Sequence, residues 1–319
     1  MDYSHQPLHK NLWPSFDVLI PFLRFEKELE TELLLSERGI IFKNTKFFVV
    51  ARLPAKPIWA QAWLPDCRLE KFENKNQAVK ILKSIKNLGV HFETDANARF
   101  AAGLKKELRE FKLKRIDFEV SSKFNFRYFA WGLLDDNTLI LCDQPESQFP
   151  LGWHEFNEDK STPPNRAYLK IWELLCLGYI QLKPEDVVID VGSSPGGWSW
   201  ALSHYVKKVY SIDKAGLDKK ILEQRNILYR EGDAFQINPA EFSDCTWLFS
   251  DIICTPQRLL TLVENWQANS RVQNFVCTIK FKGHCDFDIL KKFTNYPNSR
   301  IIHLYQNKNE VTWIKQVKQ

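Results

Sequence analysis

No C-x-x-C pair occurs among the cysteines, which number seven: Cys67, Cys142, Cys176, Cys245, Cys254, Cys277 and Cys285. An odd, scattered set argues against a disulfide framework and against a structural zinc site, and free thiols suit a reducing cytosol. The histidines show no ligand spacing either, so no metal is expected. No apolar run is long enough to span a bilayer, and the start of the chain lacks the charged-then-apolar order of a signal peptide. A soluble cytoplasmic protein without a membrane partner is expected. Internal repeats and low-complexity tracts are also missing. What is present is ordinary: 319 residues, 44% hydrophobic and 26% charged, enough for two globular domains. The formal charge of +5 is a mild basic bias that permits a polyanionic partner without requiring one.

The two halves read differently. From 1 to about 150 the pattern is mixed. Strand-like runs are predicted at Phe47–Val50, Phe124–Phe129 and Thr138–Leu141. Apolar residues at helical spacing predict a helix over Gln77–Leu88. A second helix is predicted over Ala101–Arg115, carrying Lys105, Lys106, Arg109, Lys112, Lys114 and Arg115. With Glu107 and Glu110 interleaved, that tract reads either as a solvated face or as a contact to a phosphate backbone. Phe124, Phe126, Arg127 and Tyr128 read either as base-stacking groups or as one face of a sheet core. The Pro-, Asp- and Ser-rich stretch Cys142–Pro164 is a loop, and the domain boundary is placed there, at 150/151.

Beyond the loop the pattern becomes regular. Helices are predicted over Arg166–Leu177, Trp198–Tyr205, Gln257–Ala268 and Asp286–Phe293. They alternate with apolar strands at Val187–Val191, Lys208–Asp213, Ile227–Arg230, Trp247–Asp251 and Phe275–Lys280, with a closing hairpin of Ile301–Tyr305 and Val311–Ile314. Continuous apolar strands alternating with helices imply an α/β, Rossmann-like parallel sheet covered on both faces.

The sharpest signal is Val188-Ile189-Asp190-Val191-Gly192-Ser193-Ser194-Pro195-Gly196-Gly197-Trp198-Ser199. A strand ends, small residues turn the chain, and a helix begins; in an open α/β sheet, ligands sit at such carboxyl ends. Glycine lets the backbone approach a ligand closely, and Asp190 at the strand end favours a cationic one. Asp213 ends the next strand about 20 residues on, as expected of an acid that holds a ribose diol. Asp233, in Gly232-Asp233-Ala234 after the third strand, is placed to accept from an exocyclic amine such as adenine N6. A dinucleotide dehydrogenase would want G-x-G-x-x-G, which Pro195 breaks, and no phosphate-binding P-loop occurs.

The run Asp190-Val191-Gly192-Ser193-Ser194-Pro195-Gly196-Gly197-Trp198 resembles the cofactor signature of FtsJ-like RNA ribose 2'-O-methyltransferases, Asp-x-Gly-x-x-Pro-Gly-Gly followed by Trp or Phe. The resemblance implies S-adenosylmethionine as methyl donor, with Asp190, Gly192, Ser194, Pro195, Gly196, Gly197, Trp198, Asp213, Asp233 and Asp251 around it. It also implies a Lys, Asp, Lys, Glu set, matched in order by Lys170, Asp251, Lys280 and Glu310. A ribose 2'-hydroxyl is a weak acid, so its attack on a methyl group needs the proton removed. A second nearby cation lowers a lysine's pKa and makes it a competent base. Lys280 is therefore expected as general base, with Lys170 depressing its pKa and positioning the ribose, and with Asp251 and Glu310 orienting the lysines.

From about 130 to 319 the chain further resembles the M-type large-subunit rRNA ribose methyltransferases, in Trp247–Asp251, Pro256, the helix through Trp266, and Leu304–Thr312. That subfamily acts on a cytidine of 23S rRNA and captures RNA with an N-terminal region containing a THUMP domain, which places an RNA-capture region at 1–150 and the catalytic domain at 151–319. A monomer is expected. The chain departs from the family pattern at Ala167, where the family has Ser, and at Ser193-Ser194, where it favours Ala and Cys. Base N-methyltransferases would carry Asn/Asp-Pro-Pro-Tyr/Phe after the fourth strand, unlike Asp251-Ile252-Ile253-Cys254. Cytosine C5 enzymes need a nucleophilic Cys there, often after Pro, and no Pro precedes Cys254. The remaining alternatives are the same reaction on tRNA or an mRNA cap, and an inactive RNA-binding or ribosome-assembly protein; the latter would be free to lose Lys280.

Overall fold

The computed structural model describes residues 15–108, 114–118, 127–147 and 149–317. They form two compact units: one runs to Ile116 and resumes before Tyr128 to end at Glu155, and the other comprises 117–118 and everything from Phe156.

The first unit holds β1 (Phe16–Pro21), α1 (Glu26–Leu35), β2 (Ile40–Lys43), β3 (Phe48–Val50), β4 (Ala60–Lys71), α2 (Lys75–Ser84), β5 (Leu88–His91), α3 (Ala98–Glu107), β6 (Tyr128–Asp135) and β7 (Thr138–Cys142). Its sheet has the order β2-β3-β1-β4-β7-β6-β5, antiparallel except for the pair β5 and β6. Side chains alternate across a strand, and both faces of β6 and β7 are apolar. Tyr128, Ala130, Ile140 and Cys142 pack with Val18, Val49 and Leu64 on one face. Phe129, Trp131, Leu133, Leu139 and Leu141 pack under Ala78 and Leu82 of α2 and Ala101 and Leu104 of α3 on the other.

Several expectations for this unit are corrected. The helix predicted over 77–88 stops at Ser84, after starting at an Asn74 cap that accepts from Gln77 N. Leu88–His91 pair with Tyr128–Trp131 as a parallel strand instead, because the sheet ladder outweighs a helical apolar period. The second helix is Ala98–Glu107, and Lys114 and Arg115 are not helical. Of the predicted run 124–129, Phe124 and Phe126 lie outside the described residues, and the strand begins at Tyr128. Strands β1, β2 and β4 and helix α1 had no counterpart in the sequence reading.

The second unit follows the predicted alternation closely: α4 (Tyr168–Cys176), β8 (Val187–Val191), α5 (Gly197–Ser203), β9 (Lys208–Asp213), α6 (Lys219–Leu222), β10 (Ile227–Glu231), β11 (Trp247–Ser250), α7 (Pro256–Asn269), β12 (Asn274–Lys280), α8 (Phe287–Thr294), β13 (Ser299–Ile302) and β14 (Glu310–Lys315). The sheet order is β10-β9-β8-β11-β12-β14-β13. The first five strands in that order are parallel. Strand β14 inserts antiparallel between β12 and β13, so the sheet is mixed rather than wholly parallel. The order steps away from β8 in both directions, which opens a crevice at the carboxyl ends of β8 and β11. No helix among the described residues is long and apolar enough to cross a membrane.

Candidate active site

Strand β8 is buried along its length and hydrogen-bonded on both sides, to β9 and to β11. Its chain then turns at Gly192, whose φ of +77° suits glycine. A Cβ there would stand 2.7 Å from the Ile252 side chain, so Gly192 is also where two loops meet. The turn is tied down by its own amides: Gly192 N and Ser193 N donate to Ile212 O, and Ser194 N donates to Asp213 Oδ2 at 2.9 Å. Ser194 Oγ donates to Gly216 O, and the Ser194–Pro195 peptide is cis. Gly196, at φ +112°, is the residue just before α5.

The predicted cofactor residues divide into two groups. Asp213 and Asp233 lie at the ends of neighbouring strands and are partly exposed. Asp213 Oδ1 accepts from Ala215 N, and Asp233 accepts from Phe235 N and pairs with Lys214 at 2.9 Å. The Phe235 amide and Lys214 hold the Asp233 carboxyl below its ordinary range. Asp190 and Trp198, by contrast, are buried. The Asp190 carboxylate accepts from Ser199 Oγ at 2.7 Å, and Ser199 in turn meets Ser211 Oγ. Burial pushes Asp190 up to about 7; the Ser199 hydrogen bond opposes this, and the charges of Asp251 and Asp213 add to it. The Trp198 indole packs on Phe249, and its Nε1–H donates to Ala167 O, joining the turn to the start of α4.

Helix α4 brings the second set of residues. Lys170 reaches Asp251, just past β11, at 3.1 Å to both carboxylate oxygens, and Glu310, the first residue of β14, at 2.5 Å. Lys280, the last residue of β12, donates to Asp251 O at 2.6 Å and lies 3.0 Å from Asp251 Oδ1. Glu310 is its register partner on β14. Thus Lys170, Asp251, Lys280 and Glu310, drawn from four elements, form one contiguous cluster. Burial would raise the Asp251 pKa, but the two ammoniums and the hydrogen bonds from Thr278 and Lys280 outweigh it and hold the carboxyl below its ordinary value. The two lysines differ in access: the Lys170 side chain is 9% exposed and that of Lys280 20%, so Lys280 is the one a substrate reaches more readily.

Thr278 is a site residue that sequence reasoning missed. Its Oγ1 donates to Asp251 Oδ1 at 2.7 Å. Its signal was available, since Thr278 and Lys280 are two apart on one strand and share a face. Among the described residues, no group of three or more His, Cys, Asp or Glu side chains is arranged to hold a metal ion.

Residues 164–297 match the family model of the FtsJ-like methyltransferases. That segment of the second unit is similar to the FtsJ-like family. The matched segment contains Lys170, the glycine turn, Asp251 and Lys280, while Glu310 lies past its end. Proteins named ribosomal RNA large subunit methyltransferase M are similar to the chain as a whole or in part. That of Methylococcus capsulatus is 24% identical, over 58% of this chain and 53% of its own length. Those of Thauera aminoaromatica and Azoarcus sp. are each 24% identical, over 90% and 97% of this chain and 92% and 98% of their own lengths. The chain thus spans about half of the first relative, whereas alignment with the other two continues through the first unit and past the FtsJ-like segment.

Proposed function

We propose that the protein transfers a methyl group from S-adenosylmethionine to a ribose 2'-hydroxyl of RNA, on a cytidine of 23S rRNA. The observation that carries this reading is the Lys170–Asp251–Lys280–Glu310 cluster, gathered at the carboxyl ends of β11 and β12 beside the glycine turn. The turn suits the cofactor: it leaves β8 at the carboxyl edge of the sheet, with Asp213 at the end of β9 and Asp233 just past β10. Bound there, S-adenosylmethionine supplies a methyl group already activated by its sulfonium sulfur.

The chain's own residues act on the hydroxyl. Lys280 Nζ directs two donors at Asp251, to its carbonyl oxygen and its carboxylate. It is the proposed general base, taking the 2'-hydroxyl proton as that oxygen attacks the methyl group. Lys170 stays paired to two carboxylates and supplies a fixed positive charge beside the developing oxyanion. Asp251 and Glu310 keep both lysine heads in place.

The first unit is the proposed RNA-capture region, THUMP-like in role, with Lys105 and Lys106 in the last turn of α3 as candidate phosphate contacts. A monomer working in the cytoplasm on rRNA or its precursors suits this assignment. The test is methyl transfer from labelled S-adenosylmethionine to unmodified 23S rRNA by wild type and by Lys280→Ala. Label in a ribose 2'-O position, reduced by about 10²–10⁴-fold in the variant, is expected. Label only on tRNA or capped RNA would overturn the rRNA assignment. Equal activity of the variant would overturn the role of Lys280.

A further inference from the structure

We propose that Glu173 is a positioning residue: it anchors the connection between β13 and β14 to α4, so that Glu310 meets Lys170. This inference rests on the functional reading above and adds a residue to it. Glu173 is one turn along α4 from Lys170, so both side chains leave the same face. It is 2% exposed, although a buried carboxylate is costly unless satisfied. Two parallel amides satisfy it: Tyr305 N donates to Oε1 at 2.7 Å and Gln306 N to Oε2 at 2.9 Å. A glutamine of the same shape would be cheaper to bury, but its NH2 group would face one of those N–H donors. The carboxylate is therefore the group this geometry requires.

The far end of the connection is held as well. Asn309 Nδ2 donates to Phe281 O and Phe281 N to Asn309 O, while Asn307 Nδ2 donates to Thr312 Oγ1. Residues 303–309 are thus pinned to α4 at Tyr305 and Gln306 and to Phe281, just past β12, at Asn309, and Glu310 follows directly. One helix carries both the lysine and the clamp that sets where its partner carboxylate stands.

The experiment compares Glu173→Gln with wild type in two backgrounds, the native chain and Glu310→Ala, using the full chain. Three quantities are read: kcat for methyl transfer, the Kd for S-adenosylmethionine, and amide hydrogen exchange at Tyr305 and Gln306. In the native background kcat should fall about tenfold and exchange at the two amides should quicken by a similar factor, the loss of one buried hydrogen bond, while Kd stays within about twofold. In the Glu310→Ala background the same substitution should change kcat less than about twofold, because residues acting through one another are not additive. Equal losses in both backgrounds, parallel loss of cofactor affinity, or unchanged exchange at Tyr305 and Gln306 would overturn the proposal. Should Glu173→Gln fail to fold, Glu173→Asp, which keeps the charge but shortens its reach, takes its place with the same expectations. If wild type transfers no methyl group, the functional reading falls, and the positioning claim is decided by the exchange data and the NMR signal of the Lys170 ammonium: a shift of that signal on substitution supports the claim, and no shift overturns it.

Discussion

Two buried or nearly buried aspartates, one in each unit, show how the same side chain serves different ends. Among the described residues, Asp17 in β1 accepts from neutral donors alone: Leu53 N, the Trp63 indole N–H and Asp66 N, at 2.8, 2.8 and 3.1 Å. It ties the Leu53 loop and the irregular middle of β4 to β1 in a mostly antiparallel sheet. Asp251 accepts from two ammoniums and a hydroxyl, and its side chain is 18% exposed at the mouth of a crevice. In a parallel sheet every strand delivers its following loop to the same end, so acids and bases from distant parts of the sequence converge there. In an antiparallel sheet successive turns alternate between ends, and Asp17 holds neutral donors of the fold. A buried charge therefore points to chemistry when its partners are themselves charged and the site opens to solvent.

Three measurements would break or sharpen that comparison. The largest effect is expected for Asp251→Asn, which leaves Lys170 and Lys280 without their shared carboxylate. Single-turnover methyl transfer should slow on the order of 10²–10⁴-fold, with circular dichroism checking the fold. A loss no greater than that of Asp17→Asn would erase the distinction between the two aspartates. Asp17→Asn comes next: it turns an acceptor toward at least one N–H donor and should lower stability by about 1–3 kcal/mol. Urea unfolding would report this as a lower midpoint, while kcat at a temperature where the fold is intact should not change.

The third measurement concerns Asp190, whose pKa is raised to about 7 in the folded chain. A carboxyl with a raised folded pKa contributes stability that is full below its ordinary value of 3.8 and is lost as pH rises toward 7. Wild type should therefore lose stability relative to Asp190→Asn between about pH 4 and 7, by at most about 1.4 kcal/mol per pH unit. Thermal unfolding of both proteins across that range measures the difference. Parallel curves would mean that Asp190 is ionised with no penalty.

Legibility followed the local strength of the signal. Strands β8 and β9 were placed to the residue because each is a short apolar run bounded by turn residues, with an acid near its end. Strand β4 was missed because Pro65 and Asp66 interrupt it; Asp66 takes a φ of +51°, and the strand continues past the irregularity only because β1 and β7 pair with it. The helix over 77–88 was drawn too long, since an apolar period does not say where a neighbouring strand will claim the chain. In the site, Lys170, Asp251, Lys280 and Glu310 were named through a family resemblance, and the structure brings them together. Asp190 and Trp198 carried the same motif, yet one lies beneath the turn and the other fastens it to α4.

Sequence alone determined the chemical inventory and the local geometry: a glycine turn after an apolar strand, acids after three successive strands, lysines and carboxylates near strand ends. These depend on φ/ψ preferences and on periodicities of a few residues, which are written locally. Only the tertiary structure decided partnership. Lys170 meets a carboxylate 140 residues away because β14 inserts beside β12, and Glu173 meets backbone amides that no side-chain pattern announces. Such pairings arise from the strand order and from the need to satisfy every buried charge, and neither is a property of any short stretch of chain.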